Sequence, residues 1–410
     1  MKEPGLFMAF RGERYADPGS LARRLAPPYD VISPARRAEL AAQDPCNIVH
    51  VDLPEAVAGA DPYREAARLL ERWRSDGTLV RDIEPTAYVL RTSGPFPDGS
   101  VRQRTGVFLA VAAEPFARGR VLPHERTHAG PKEDRRRLTH ATGCNLSPVF
   151  LLAPDSSGAM AEALAESTAR EPWTSCTSLG SQHEVWIASG QAARRIAEAA
   201  GREAVYVADG HHRFETAVLF RDEAPERWRD GAARTLSHVV SFRDPGLEIL
   251  PTHRLVVGTP VAAEVFRVAA APYFSEAPRG GKPVLTAAFT GGAELPLVVR
   301  PDADLSAAHD LPAHPAVRSL AVAIADAVAV GVVGTSLLGH VPELRYTPDA
   351  AEAHEAARTG RCAFALLLPP TRLDEVRRVA DAGQIMPPKS TFFAPKVPTG
   401  VVIRPLDASV

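Results

Sequence analysis

The run Val205-Tyr206-Val207-Ala208 is apolar and rich in β-branched residues, and Asp209-Gly210-His211-His212-Arg213 follows it directly. The first part reads as a strand, and the second as the mouth of a helix running to about Phe220. A strand that becomes a helix within two residues requires a fold in which sheet and helix pack on one another. It also selects a chemistry. The first turn of a helix presents N–H groups with no partner in the helix, and its dipole favours an anion. Gly210 supplies turn geometry, Arg213 a planar fork for two phosphate oxygens, and His211 or His212 a further donor near neutral pH. Asp209 suits a magnesium ion or an orienting hydrogen bond.

Short strands and helices alternate along the rest of the chain. Residues 86–92 and 101–113 read as an antiparallel pair, and 48–53, 145–152, 183–188 and 235–242 as further strands. Ser33-Pro34 and Asp61-Pro62 open helices, and others are expected at 159–168 and 191–198. Residues 121–142 are densely charged, and 121–137 read as a loop. Past a soft boundary near 255 comes a Pro/Gly/Ala-rich stretch with strands near 285–289, 296–299 and 363–368 and helices at 350–358 and 373–382. The expected class is α+β, divided into a main body, 1–254, and a C-terminal region, 255–410.

With 47 basic and 49 acidic residues among 410, the chain lacks the basic field of a nucleic-acid or lipid binder. Cys46, Cys144, Cys176 and Cys362 form no C-x-x-C pair and read as free thiols in a reducing compartment. The opening residues carry charge too early for a signal peptide. Leu320–Leu338 is long and apolar, but small residues and a central Asp326 argue against a membrane span. A cytoplasmic location is expected.

Two further segments carry chemistry. His124-Glu125-Arg126-Thr127-His128 matches the H-E-x-x-H expression, but Pro123 and Gly130-Pro131 leave at most two helical turns around it, against a zinc protease. Glu125 fits better as a general base or metal-binding carboxylate on a loop, with His124 beside it. Met386-Pro387-Pro388-Lys389-Ser390-Thr391-Phe392-Phe393-Ala394-Pro395-Lys396 sets lysines and hydroxyls between prolines, and Lys389 and Ser390 are candidate phosphate ligands. Tyr29-Asp30, Asn145 and His253-Arg254 are weaker candidates. No Walker loop, dinucleotide fingerprint or serine elbow is present.

Together, Pro27 to Ser33, Pro123-His124-Glu125, Asn145 to Pro148, Ala208 to Arg213, Pro251 to Arg254 and Met386 to Lys396 resemble the DUF1015 family along almost the whole chain. The Asp209-Gly210-His211-His212-Arg213 box is similar to the phosphate-gripping motif of the ParB/sulfiredoxin superfamily, which includes free-serine kinases. That resemblance implies a ParB/sulfiredoxin-like mixed α/β core with additional α+β elaboration. It also implies a nucleotide-dependent small-molecule kinase acting on serine or a similar hydroxy compound, with ATP or ADP and Mg2+ as cofactors. The implied catalytic residues are Glu125, Asp209 and His211. Gly210, His212, Arg213, Lys389, Ser390, His124 and Arg254 would hold the nucleotide, and Asp209 and Glu125 the metal. A sulfiredoxin role is disfavoured because the box holds no cysteine. A nucleotide-binding regulatory or DNA-associated module without turnover, or a phosphoester hydrolase, would use the same anion site. The expected partners are a nucleotide and a small substrate, not nucleic acid or membrane. Enzymes of this size are often homodimers.

Overall fold

The computed structural model describes residues 5–56, 59–96, 99–126 and 129–407. The chain forms two compact units: one of Met1–Pro123, Thr127–Leu247 and Pro395–Val410, the other of His124–Arg126 and Glu248–Ala394.

The first unit is built on a nine-stranded mixed sheet. Its main path runs Val121–Leu122, Val205–Asp209, Val149–Ala153, Arg234–Ser241, Val101–Ala112, Thr86–Pro95, Ser181–Ser189, Thr174–Ser178, and Phe7–Met8 pairs on Val101–Ala112. Val205–Asp209 is parallel to Val121–Leu122, and Arg234–Ser241 is parallel to Val149–Ala153. The remaining pairs are antiparallel, so the unit is mixed α/β. Val107, Leu109, Val149, Leu151, Val205, Val207 and Val239 share a buried core with Met160, Leu164, Ile196 and Phe214 from three helices. Each large aliphatic side chain removed from water contributes about 1.5–3 kcal/mol.

A cross-strand row, Tyr88–Phe108–His238–Phe150–Asp209, crosses five neighbouring strands of this sheet. Asp209 joins it through a register shift. Val207 lies opposite Leu151, yet Asp209 lies opposite Phe150, so the strand gains a residue at Ala208. Without that bulge, period-two alternation would give Asp209 the facing of Val205 and Val207, towards the apolar core.

The last residues of the chain are structural in the first unit. Thr399 bridges Ala26, Ile403 bridges Glu13, and Arg404–Pro405 pairs with Cys144–Asn145. Buried Arg404 donates to Asn145 Oδ1 and to the carbonyls of Arg234 and Gly231.

The second unit has a six-stranded antiparallel sheet, ordered Phe274–Glu276, Glu294–Val299, Leu285–Ala288, Phe364–Leu367, His253–Val256, Leu344–Thr347. Phe266, Phe289 and Phe364 cluster with ring centroids 5.0–6.3 Å apart. Ala353, Ala356 and Ala357 bring the helix Ala350–Arg358 against Ala288 and Ala365. The apolar helix Ala321–Leu338 is long enough to cross a membrane by length and composition, and 56% of it is buried within the protein. Its Asp326 is ion-paired with Arg254.

Two expectations are corrected. Residues 48–53 are not a strand: Val49–Asp52 is helical. Asn47 accepts from Val49 N–H and donates to the carbonyls of Arg23 and Leu25, which starts a helical turn. Ile48, Val49, Val51 and Asp52 are all buried, so alternation of residue type carries no facing information. Residues 121–137 are not all loop either. They hold a two-residue strand, Val121–Leu122, and most of a helix, Ala129–Thr142. Pro131 falls in the first turn, where a missing N–H costs little. Leu138 is buried, and Lys132, Arg135 and Arg136 reach carboxylates far along the chain, Glu215, Asp52 and Glu223. Helix periodicity is hidden because charged residues make the tertiary contacts.

The antiparallel pair is as expected, Thr86–Pro95 with Val101–Ala112. So are the helices Pro34–Gln43, Pro62–Ser75, Ala159–Thr168 and Gly190–Ala200, the first two capped by Ser33 and Asp61. All four cysteines are free thiols.

Candidate functional site

The strand Val205–Asp209 passes into the helix His211–Glu223 through Gly210, at φ 89° and ψ 31°. The helix's N-cap position is that glycine, which has no side chain to offer as a cap. Gly210 is needed for two reasons. Its backbone is left-handed, and a Cβ there would lie 2.8–3.1 Å from the guanidinium of Arg213. Arg213 therefore folds back over the turn that starts its own helix.

The charges here are tightly paired. Lys396 Nζ donates to Asp209 Oδ2 at 2.9 Å, and Arg213 Nη2 lies 3.5 Å from Oδ1. Burial would push the Asp209 carboxyl up, but Lys396, Arg213 and His211 outweigh it and hold the group well below the usual carboxylate range. Arg213 is buried and donates to the carbonyl of Pro148. Its own burial disfavours the charge, and Asp209, Asp30, Tyr29 and Asp52 restore it.

Behind Arg213 a second layer continues the network. Buried Asp52 meets Arg135 Nη1 at 3.1 Å and accepts from Ser147 Oγ at 2.7 Å. Burial raises its carboxyl despite Arg135, Ser147 and Arg213. The Arg135 guanidinium lies 3.9 Å from the centre of the Tyr29 ring. Burial pushes the Tyr29 phenol up to about 12, against Arg213 and Arg135. A cavity of about 50 Å³ is lined by Asp52, Arg135, Ser147, Arg213, Thr216 and Phe220. Asp52 and Lys396 were not among the expected site residues. Lys396 had one visible signal, its place at the end of the Pro-punctuated segment 386–396. Asp52 had none, because its segment reads as a strand.

His211 and His212 open the helix His211–Glu223 in the first unit, and the other expected residues lie in the second. His124 is buried, with Nε2 3.0 Å from the Thr391 hydroxyl and its ring edge-on to Phe393. Glu125 bridges Met386 and accepts the Lys389 N–H at 3.3 Å. Lys389 is one of few non-glycine residues at positive φ, 57°. Ser390 is buried and donates its hydroxyl proton to the Pro387 carbonyl at 2.6 Å, while its own carbonyl accepts from Thr371. That hydroxyl closes the loop. Arg254 is fully buried and grips Asp326 with Nε at 2.8 Å and Nη2 at 3.2 Å. Its fork is engaged within the fold. His128, the last residue of the H-E-x-x-H match, lies outside the described residues.

The donor set does not fit a resident metal. Among the described residues no group of three or more His, Cys, Asp or Glu could hold an ion. Asp209 faces two cations.

Comparison with known proteins gives a family and distant structural likenesses. The family model described as "protein of unknown function (DUF1015)" matches residues 7–323. No curated protein matches the chain. A free serine kinase mutant solved in complex with ADP shares 14% identity at a TM-score of 0.37, over 70% of this chain and 87% of its own. A conserved hypothetical protein from Pyrococcus furiosus shares 13% identity at 0.36, over 74% and 97%. SbnI with a C-terminal truncation, from Staphylococcus aureus, shares 13% at 0.37, over 71% and 84%.

Proposed function

The chain belongs to the DUF1015 family, and we propose that it binds a nucleotide through its phosphates at the first turn of the helix His211–Glu223 and transfers a phosphoryl group to a small hydroxy compound. The observation that carries the reading is the helix start entered through left-handed Gly210 at its N-cap and flanked by Arg213 and Lys396. Asp209 stands against both cations, Asp30 and Asp52 also act on Arg213, and Arg135 pairs with Asp52. The helix dipole adds roughly half a positive charge at this end, which favours an anion such as phosphate.

Phosphoryl transfer asks a protein mainly for positioning and charge stabilisation. The first-turn N–H groups and Arg213 would hold the non-bridging oxygens, with His211 and His212 at the same turn. The bond from phosphorus to the leaving nucleotide oxygen breaks as the bond to the acceptor oxygen forms, and the acceptor's proton passes to a carboxylate. Glu125, expected from the sequence as that base, belongs to the second unit, and whether it contributes is read separately through Glu125→Gln. Free serine is the first acceptor to try because of the D-G-H-H-R box.

The test incubates purified protein with ATP or ADP, with and without Mg2+, against a panel of hydroxy amino acids, and follows nucleotide and phosphorylated product. Turnover that needs both nucleotide and acceptor supports the reading. Nucleotide binding without turnover would favour a regulatory module, and phosphate release without acceptor a hydrolase. No turnover with any nucleotide, together with unchanged binding in Arg213→Ala, would sink the proposal.

A further inference from the structure

We infer that the first unit carries a separate small-molecule site, a cavity walled by Trp173 and Trp186 that takes a free α-amino acid with an apolar or aromatic side chain. The cavity has a volume of about 370 Å³, within the range of pockets that hold small ligands. It is lined from the helices Ala159–Thr168 and Gly190–Ala200, from residues 170–173 and from the strand Ser181–Ser189. Four strands of the sheet separate that last strand from Val205–Asp209, about 24 Å at the usual spacing. The site therefore stands or falls independently of the phosphate reading.

The fold itself fixes the walls. Strand alternation turns Trp186 into the core of the unit, and its indole N–H donates to the Arg170 carbonyl at 2.8 Å. Trp173 donates its backbone N–H to the Val185 carbonyl at 2.7 Å. These two bonds tie residues 170–173 to the strand. Arg14 and Arg91, neither of them a lining residue, stack on the two indoles at 4.7 and 4.8 Å. Arg195 Nη1 meets Glu166 Oε2 at 2.6 Å and joins the two helices. Ala163 and Ala192 line the space between them with methyl groups, which leaves room for a ligand's side chain. Walls held in this way take an apolar body with little further ordering.

Charge decides what that body carries. Four charged residues line the cavity, Glu166, Arg170, Glu171 and Arg195, so the lining is neutral as a whole and does not favour a phosphate. Glu166 and Arg195 satisfy one another. Arg170 and Glu171 are exposed, do not pair with each other, and have no ion-pair partner among the described residues. An unpaired guanidinium and an unpaired carboxylate at the rim of one apolar space match the carboxylate and the ammonium of a zwitterion.

The experiment titrates L-phenylalanine and L-leucine into the full chain by calorimetry, with tryptophan fluorescence as a second readout. Two derivatives are run beside them: N-acetyl-L-phenylalanine, which lacks the ammonium, and L-phenylalanine amide, which lacks the carboxylate. The variants are Arg170→Gln, Glu171→Gln and Ala192→Leu, each checked for folding by thermal melting. Both free amino acids should bind, and each derivative should bind about five- to tenfold more weakly, as expected for loss of one charged contact at a partly open site. Arg170→Gln should weaken L-phenylalanine by a similar factor and leave the amide unchanged. Glu171→Gln should do the same and leave the N-acetyl derivative unchanged, because each variant and its derivative remove the same contact. Ala192→Leu should block the cavity. Failure of both amino acids to bind at millimolar concentration overturns the inference. So do derivatives that bind as tightly as L-phenylalanine, a loss confined to one of the two charge variants, or wild-type affinity in Ala192→Leu. The charge variants alter exposed side chains, so they decide the matter even if Ala192→Leu does not fold.

Discussion

Gly210→Ala separates two contributions that the geometry combines at one residue. The backbone there has φ 89°, which costs an L-residue about 1–2 kcal/mol. The new Cβ would also stand 2.8 Å from Arg213 Nε and 2.9 Å from its Cζ, closer than carbon packs against either. Arg213 is buried and tied to Pro148 and Asp209, so it must give up part of a charge-assisted hydrogen bond, worth about 1.5–3 kcal/mol. The expected total is about 2.5–5 kcal/mol. Gly77→Ala provides the reference. Its φ is 76° and nothing lies within 4 Å of its Cβ position, so it carries the backbone strain alone. At about 2–4 °C per kcal/mol for a unit of this size, Gly77→Ala should lower Tm by a few degrees and Gly210→Ala by clearly more. ADP affinity, measured below both midpoints, should fall in Gly210→Ala and hold in Gly77→Ala. Equal melting shifts and equal ADP affinities in the two variants would refute the claim that Gly210 exists to let Arg213 fold over the turn.

Other perturbations follow from the same contacts. The Asp209 carboxyl is depressed in the folded protein, so it contributes stability above its unfolded value, about 3.9, that is lost as pH falls through the folded value. Asp209→Asn should therefore lower stability at pH 7 and flatten its decline on the acid side, and chemical denaturation between about pH 6 and pH 2 would show whether the two curves converge. Asp52 has the opposite sign, because burial raises its carboxyl. Its contribution is greatest below the unfolded value and is lost as pH rises through the folded one, so Asp52→Asn should remove that part of the pH dependence. Arg254→Met leaves Asp326 without its buried partner and should cost about 3 kcal/mol, with no loss of ADP binding; a weakened ADP affinity would restore Arg254 as a ligand. Gly231→Ala would put a Cβ 1.9 Å from the carbonyl oxygen of Leu406, backbone against side chain with nothing able to yield. Limited proteolysis should then cut the C-terminal segment first, and wild-type resistance there would contradict the assigned packing.

Much of the local structure was legible in the order of residues. The β-branched run before Asp209, the glycine after it, and the Ser33-Pro34 and Asp61-Pro62 caps each specify a conformation through neighbours one to four positions away. The anion-favouring helix start could be read the same way. Tertiary structure decided what those groups meet. It gave Asp209 a lysine 187 residues distant, set Asp52 and Arg135 behind Arg213, and engaged Arg254 and Ser390 within the fold. It also turned Ile48–Leu53 from an alternating apolar pattern into a buried helical turn. Backbone conformation depends on short-range sterics and hydrogen bonding, which a linear pattern records. The partner of a charge depends on chain closure and on which surfaces are removed from water together, and no local pattern carries that information.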